Sequence, residues 1–321
     1  MSEINRISWI DLARGITILL MVMGHSTIPK ALSIYIWSFH MPLFFIVSGL
    51  FFDKNKRTLK QQFKHKIHTL CVPYVVFSLV VMAGYYGTEY FKPYELYLGW
   101  EGYALWFVPV LFFAEFLFSC IVLLRKSIYI YGAVLVLFLC SYALSLNNLH
   151  FPFKMESVGF ALFFIASGYA MKPLVHNLHN YSWLAVIFIG GVTITLSQIL
   201  PKLGVGRNDF GCVWLNPLNA ILGSLFIFIL SKRILNSCLV SKWPIDGITK
   251  YFIWLGRNTL FVMAFSQLFN YWILVSLNRM GVTQIWGILL RYVILFAMIG
   301  WVSKSINKYV PFIIGKKVVN Q

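Results

Sequence analysis

An arginine and two histidines stand where hydrocarbon should be. Arg14 and His25 lie in the first long apolar stretch of the chain, with Asp11 three residues before the arginine. Ionisable groups inside such stretches are costly and are candidates for function by default. Asp11 and Arg14 are spaced i,i+3 on one helical face and can neutralise each other. Arg14 and His25 are eleven residues apart. At about 100° per residue they fall within roughly 20° of eclipsed, separated by roughly 16–17 Å along the axis. One reading has Arg14 snorkelling to one interface and His25 resting at the other. The functional reading is a polar stripe along one face of the helix.

His40, in the run Phe39-His40-Met41-Pro42, is close in depth to His25. Histidine has the pKa to accept a proton near neutrality. The two rings can therefore form a catalytic pair, or part of a metal site that lacks its other ligands. His150 is the other external histidine available, and no metal is expected. Pro42 frees the carbonyl of Ser38 and can bend its helix toward a cavity. Glu115 lies in the middle of the fourth apolar stretch and needs a partner or a proton, for which Arg14 and Arg291 are candidates. A structural ion pair and a catalytic role both fit it. Arg257, in Leu255-Gly256-Arg257-Asn258-Thr259, is either a topogenic charge or an anion contact. Arg291 should face protein, and Trp106 sits near the outer end of its stretch.

The elements that must hold these groups follow from composition. Of 321 residues, 59% are apolar and 12% charged, with a mean hydropathy of +0.75. A water-soluble domain carries about a quarter charged residues, so the chain reads as an all-α polytopic membrane protein. Ten stretches approach the length needed to span a bilayer: roughly 8–28, 35–53, 69–88, 103–124, 128–146, 157–171, 181–200, 213–231, 254–276 and 284–303. No alternating barrel pattern competes. The first stretch has no small-residue cleavage site and reads as a retained helix. The segment 90–102 is aromatic enough to lie in the interface. Five scattered cysteines form no CxxC pair.

The net charge of +17 resolves by position rather than pointing to nucleic acid. With the N-terminus inside, inner segments carry 18 Lys and Arg and 3 acids, outer segments 6 and 5, for net charges of +15 and +1. This satisfies the positive-inside rule with both termini cytoplasmic. The inner charge concentrates in a basic loop at 54–68 and a basic tail at 304–321. One echo is internal: Phe44-Phe45-Ile46-Val47-Ser48-Gly49 returns as Phe163-Phe164-Ile165-Ala166-Ser167-Gly168. A Ser-Gly pair permits close helix approach, and coincidence in a Phe-rich chain is the alternative.

The same residues carry a family resemblance. Trp9-Ile10-Asp11-Leu12-Ala13-Arg14-Gly15, with ten residues between Arg14 and His25, resembles the Arg-x10-His signature of the acyltransferase family 3 proteins. The run from Phe39 to Gly49 is similar to their second-helix motif, especially in the fucose-4-O-acetylase-like branch. Leu105-Trp106-Phe107-Val108-Pro109 and Leu255-Gly256-Arg257-Asn258-Thr259 resemble two later motifs. The chain departs from the pattern at Gln267, where relatives of this type often have a histidine.

The resemblance implies a single transmembrane acyltransferase domain over 1–321 in the cytoplasmic membrane. It implies acetyl-CoA as donor from the cytoplasm and a glycan or lipid-linked sugar hydroxyl as acceptor from the outer half of the membrane. Related proteins use succinyl or longer groups, which leaves the acyl group open. His25 is then the expected general base, with His40 as second choice or orienting partner and Asp11 behind Arg14. Arg14 would guide a phosphate or the polar arm of CoA, helped by Arg257, Lys54, Arg57, Ser48 and Trp106. His40, Glu115, Arg291 and Gln267 would meet the acceptor. Trp106 Nε1 and Ser38 are candidate oxyanion donors. The donor's phosphopantetheine arm, roughly 15–20 Å long, is commensurate with the rise from Arg14 to His25. The competing reading is a transporter of polar or glycan-linked solutes that uses Arg14, Glu115 and Arg291 as pathway groups. Oligomeric state is not fixed by the sequence.

Overall fold

The computed structural model describes residues 7–26, 28–91, 103–176, 178, 181–237, 245–282 and 285–309. The helices are α1 Ser8–Gly24, α2 Lys30–Leu50, α3 Leu59–Lys66, α4 Val72–Gly84, α5 Phe107–Ile121, α6 Ser127–Leu146, α7 Val158–Ala170 and α8 Lys172–His176. They continue with α9 Trp183–Ile199, α10 Leu215–Leu235, α11 Ile245–Arg257, α12 Thr259–Arg279 and α13 Ile285–Tyr309. Among the described residues the only strand pairing is one bridge between Gly204 and Asp209.

Six described helical stretches are long and apolar enough to cross a membrane: Lys30–Leu50, Leu59–Gly84, Phe107–Leu124, Ser127–Leu146, Leu215–Leu235 and Thr259–Arg279. The chain is an all-α, multi-pass membrane protein. All ten expected stretches hold a helix. Three of them, however, are short for a span, at 17 residues in α1, 13 in α7 and 17 in α9.

Three sequence expectations change. The basic loop at 54–68 is helical from Leu59, so the third span begins about ten residues early. A capping box starts it: Thr58 Oγ1 accepts from the Gln61 amide while Gln61 Oε1 accepts from the Thr58 amide. α3 then runs through a π turn, Ile67–Cys71, into α4. The ninth span begins at Thr259. Asn258 breaks the chain from a preceding amphipathic helix, α11, that hydropathy did not separate. Residues 304–309 of the basic tail continue α13; residues 310–321 lie outside the described residues, as do 92–102 of the aromatic segment.

α2 occupies the centre, packed against α1, α7, α9 and α10. It is buried almost continuously from Ser38 to Val47, as expected of a helix apolar on every side. Helices in lipid gain little from hydrophobic burial against each other and associate through close packing. Two crossings show this directly. A Cβ on Gly49 would strike the carbonyl of Ile165, and one on Gly168 would strike that of Ile46. The repeated Ser-Gly elements thus face each other, each glycine seated on the partner backbone one turn before the partner glycine. Gly15 and Gly256 repeat the arrangement between α1 and α11, against the carbonyls of Phe252 and Asp11.

Substituting Ala at Gly49, Gly168, Gly15 or Gly256 must push helices apart, and is expected to cost roughly 1–3 kcal/mol or more by overpacking. Gly132 and Gly191 have open space where a Cβ would sit, so Ala there should not destabilise. Thermal unfolding in detergent checks the contrast; equal losses at Gly49 and Gly132 would contradict it.

Candidate active site

Two cavities meet inside the bundle. The larger, about 390 Å³, is basic. α1 contributes Arg14, and α2 contributes Phe44, Val47 and Ser48. Asp53, Lys56 and Arg57 line it from the segment before α3, and Gln62, His65 and Lys66 from α3 itself. The π turn adds Thr69 and Leu70, α5 adds Phe107, Val108, Leu111 and Glu115, and α12 adds Thr259, Leu260 and Met263. The one-residue expansion of a π turn re-aims side chains and is frequent at functional sites. Here it follows directly after His65 and Lys66, both of which face the cavity.

The buried carboxylate of Glu115 accepts from Ser48 Oγ at Oε1 and forms an ion pair with Lys66 Nζ at Oε2. Neither Arg14 nor Arg291 is its partner, which corrects the expectation. Lys66 was assigned to a loop, and the early start of α3 carries it into reach. Ser119 bridges the same two elements, donating to Gln62 Oε1 and the Glu115 carbonyl. Glu115 also belongs to the basic cavity and is not among the residues lining the histidine cavity, so its expected acceptor role loses its geometric support.

Asp11 is bracketed. Its carboxylate accepts from Arg257 Nε at 2.9 Å and lies 3.7 Å from Arg14 Nη1, while Arg14 Nη2 donates to Thr259 Oγ1 at 2.9 Å. The i,i+3 pair is therefore present but shared with a second arginine. Asp11 lines neither cavity and sits as a positioning residue beneath Arg14. Arg257 is turned away from the basic cavity toward a smaller space of about 130 Å³ that Arg14 also touches, near Asn258, Ser303 and Asn307.

The second cavity, about 270 Å³, holds both histidines. Met21 and His25 come from α1, Trp37, His40 and Met41 from α2, and Trp106 from the turn before α5. Lys202, Leu203, Gly204, Val205, Gly206 and Asp209 come from the α9–α10 loop, and Met263 from α12. Trp37 stands between the rings, edge-on to His25 at 5.0 Å and to His40 at 5.2 Å. His40 is 3% exposed. Its Nδ1 lies 2.9 Å from the Ile36 carbonyl, which requires a proton on Nδ1 and leaves Nε2 as the acceptor. His25 follows the last turn of α1 and is the more exposed ring.

The loop is braced for this task. The Gly204–Asp209 bridge closes it, Ser157 Oγ donates to the Val205 carbonyl, and a Cβ on Gly206 would crowd the Trp106 indole at 2.9 Å. Next to it, fully buried Glu156 accepts from the Phe151 amide and pairs with His150. His150 is thereby held away from the His25–His40 pair. No group of three metal-binding side chains occurs among the described residues.

The sequence candidates thus divide. Arg14, Arg57 and Ser48 line the basic cavity, and His25 and His40 line the other. Trp106, expected on the donor side, lies with the histidines. Lys54, Gln267 and Arg291 line neither cavity; the Arg291 guanidinium instead lies 5.7 Å from the Tyr292 ring. The Ser38 hydroxyl is committed to the Tyr35 carbonyl at 2.7 Å. The sequence reading missed Trp37, His65, Lys66 and Met263. Trp37 had a signal, being one turn before His40; His65 and Lys66 depend on the early start of α3, and Met263 on how α12 is rotated.

A family model described as an acyltransferase domain matches residues 7–310. No curated protein and no solved structure matches the chain significantly.

The Glu115–Lys66 pair gives a test of the basic cavity. Removing one member of a buried pair strands the other, whereas replacing both with apolar groups is far better tolerated. Glu115→Leu and Lys66→Met should each lower the unfolding temperature more than the double variant does. Additive losses would show that the two groups are not coupled.

Proposed function

This chain belongs to acyltransferase family 3, and from that premise we propose that it moves an acetyl group from acetyl-CoA to a hydroxyl of a glycan or lipid-linked sugar. The observation that carries the reading is the division of one bundle into a basic cavity and a histidine cavity that share a wall. CoA is strongly anionic, and Arg14, Lys56, Arg57 and His65 converge where its phosphates and polar arm would enter. The histidine cavity, walled by Trp37 and Trp106 with Lys202 and Asp209 on its loop side, suits a sugar hydroxyl and its ring. With the N-terminus and C-terminus cytoplasmic, as the Lys and Arg distribution favours, the donor enters from the cytoplasm and the acceptor from the opposite side.

The reaction needs one proton taken and one returned. The acceptor oxygen attacks the thioester carbonyl, forming the C–O bond, and His25 takes the hydroxyl proton. Collapse of the tetrahedral intermediate breaks the C–S bond, and the same proton passes to the departing thiolate, giving ester and free CoA. His40 serves as orienting partner: with Nδ1 bound to Ile36, its Nε2 can accept from the acceptor sugar. Trp37 spaces the two rings. Trp106 is the remaining candidate donor for the oxyanion. Arg14, fixed by Asp11 and Thr259, guides the donor without being free to swing into the histidine cavity.

His25→Ala is expected to lower acetyl transfer by roughly 10²–10⁴-fold, the usual worth of a general base, in protein that still elutes as a folded species. Arg57→Ala should raise KM for acetyl-CoA roughly tenfold, as loss of one charged contact does, with a smaller change in kcat. Radiolabelled acetyl-CoA supplied to native membranes that carry the protein measures both. Wild-type turnover in His25→Ala would sink the assignment of the base. Solute flux that persists without acetyl-CoA, and no transfer at all, would favour a transporter.

A further inference from the structure

The two cavities have one residue in common, Met263. Along each helix that lines both, the lining changes cavity within a turn or two of that level. On α2 it passes from Met41 to Phe44, and at the start of α5 from Trp106 to Phe107. Met21 stands on α1 between Arg14 and His25. The boundary is thus a buried collar of Met21, Met41, Phe44, Phe107 and Met263.

The collar has a stiff side and a yielding side. Phe107 is pinned by ring contacts with Phe44 at 6.1 Å and Phe45 at 4.7 Å. Methionine is unbranched, with a soft thioether that adapts to what lies beside it. A thioester entering from the basic cavity leads with its acyl group, and that group must clear Met263 to reach the histidines.

We propose that Met263 sets the length of acyl group the protein transfers, holding it short by closing the passage between the donor and acceptor cavities. The proposal rests on the donor–acceptor reading above and deepens it. The chemistry is unchanged: the thioester C–S bond breaks, the ester C–O bond forms, and the hydroxyl proton ends on CoA. Met263 touches the acyl chain and takes no part in proton transfer. One methylene of misfit in an apolar passage is worth about 10–200-fold in kcat/KM. Met263→Ala removes Cγ, Sδ and Cε, about what separates acetyl from butanoyl or pentanoyl.

The test supplies acetyl-, butanoyl- and hexanoyl-CoA to native membranes carrying each variant, with CoA release and ester formation as readouts. Wild type should prefer acetyl over butanoyl by about tenfold or more. Met263→Ala should raise the butanoyl-to-acetyl ratio of kcat/KM by about tenfold. Met263→Phe should slow acetyl transfer by a similar factor while the Kd for CoA moves less than about threefold, since CoA itself stays in the basic cavity. If the alanine variant does not fold, Met263→Val, which removes less volume, should shift the ratio in the same direction. A ratio unmoved in a folded small variant, or undiminished acetyl transfer in Met263→Phe, overturns the role of Met263 and leaves the enzymatic reading standing. Absence of transfer from every CoA thioester in wild type would sink both.

Discussion

A carboxylate in hydrocarbon must be paired, and in this bundle the pairing decides where the helices go. Asp11 holds Arg14 and Arg257 at once, and can do so because Gly15 and Gly256 let α1 and α11 touch backbone to backbone at that level. The same bracket leaves Arg14 with a hand on Thr259, so the start of α12 is tied to α1. Glu115 does the equivalent on the other side, drawing Lys66 of α3 and Ser48 of α2 onto α5. Desolvating these groups without partners would be prohibitive. Pairing them ties six helices together, and five of these, α1, α2, α3, α5 and α12, line one basic space.

Which residues share a helix was legible in the sequence, and which way they face was not. Arg14 on α1 lines one cavity and His25, which caps that helix, lines the next, while the His25 and His40 rings both lie against Trp37. The resemblance points to Gln267 and hydropathy to Arg291, yet neither lines the two cavities. Their helices, α12 and α13, are apolar on most sides, so no stripe in the pattern says which face looks inward. Trp106 shows the same gap, being at the expected end of its helix but lining the cavity of His25 and His40.

The Lys66 error has a different cause. Residues 59–66 are too polar for a hydropathy window, and they are helical because a capping box starts them and packing against α5 sustains them. The Thr58-x-x-Gln61 spacing was the available signal. The Phe-Phe-Ile-x-Ser-Gly echo is the converse case. The sequence left close helix approach and coincidence both open, and the structure seats the two copies against each other at α2 and α7.

A methionine- and phenylalanine-lined collar divides a cavity rich in Lys and Arg from one that holds His25 and His40. The central claim is that donor and acceptor approach the collar from opposite faces of the membrane. Sealed vesicles of known orientation test it most directly, with radiolabelled acetyl-CoA confined to one side and the label on glycan assayed on each. The account predicts label on the non-cytoplasmic face when acetyl-CoA is cytoplasmic, and none when it is supplied only from the other side. Equal labelling from either side, or product on the face that received the donor, would contradict it.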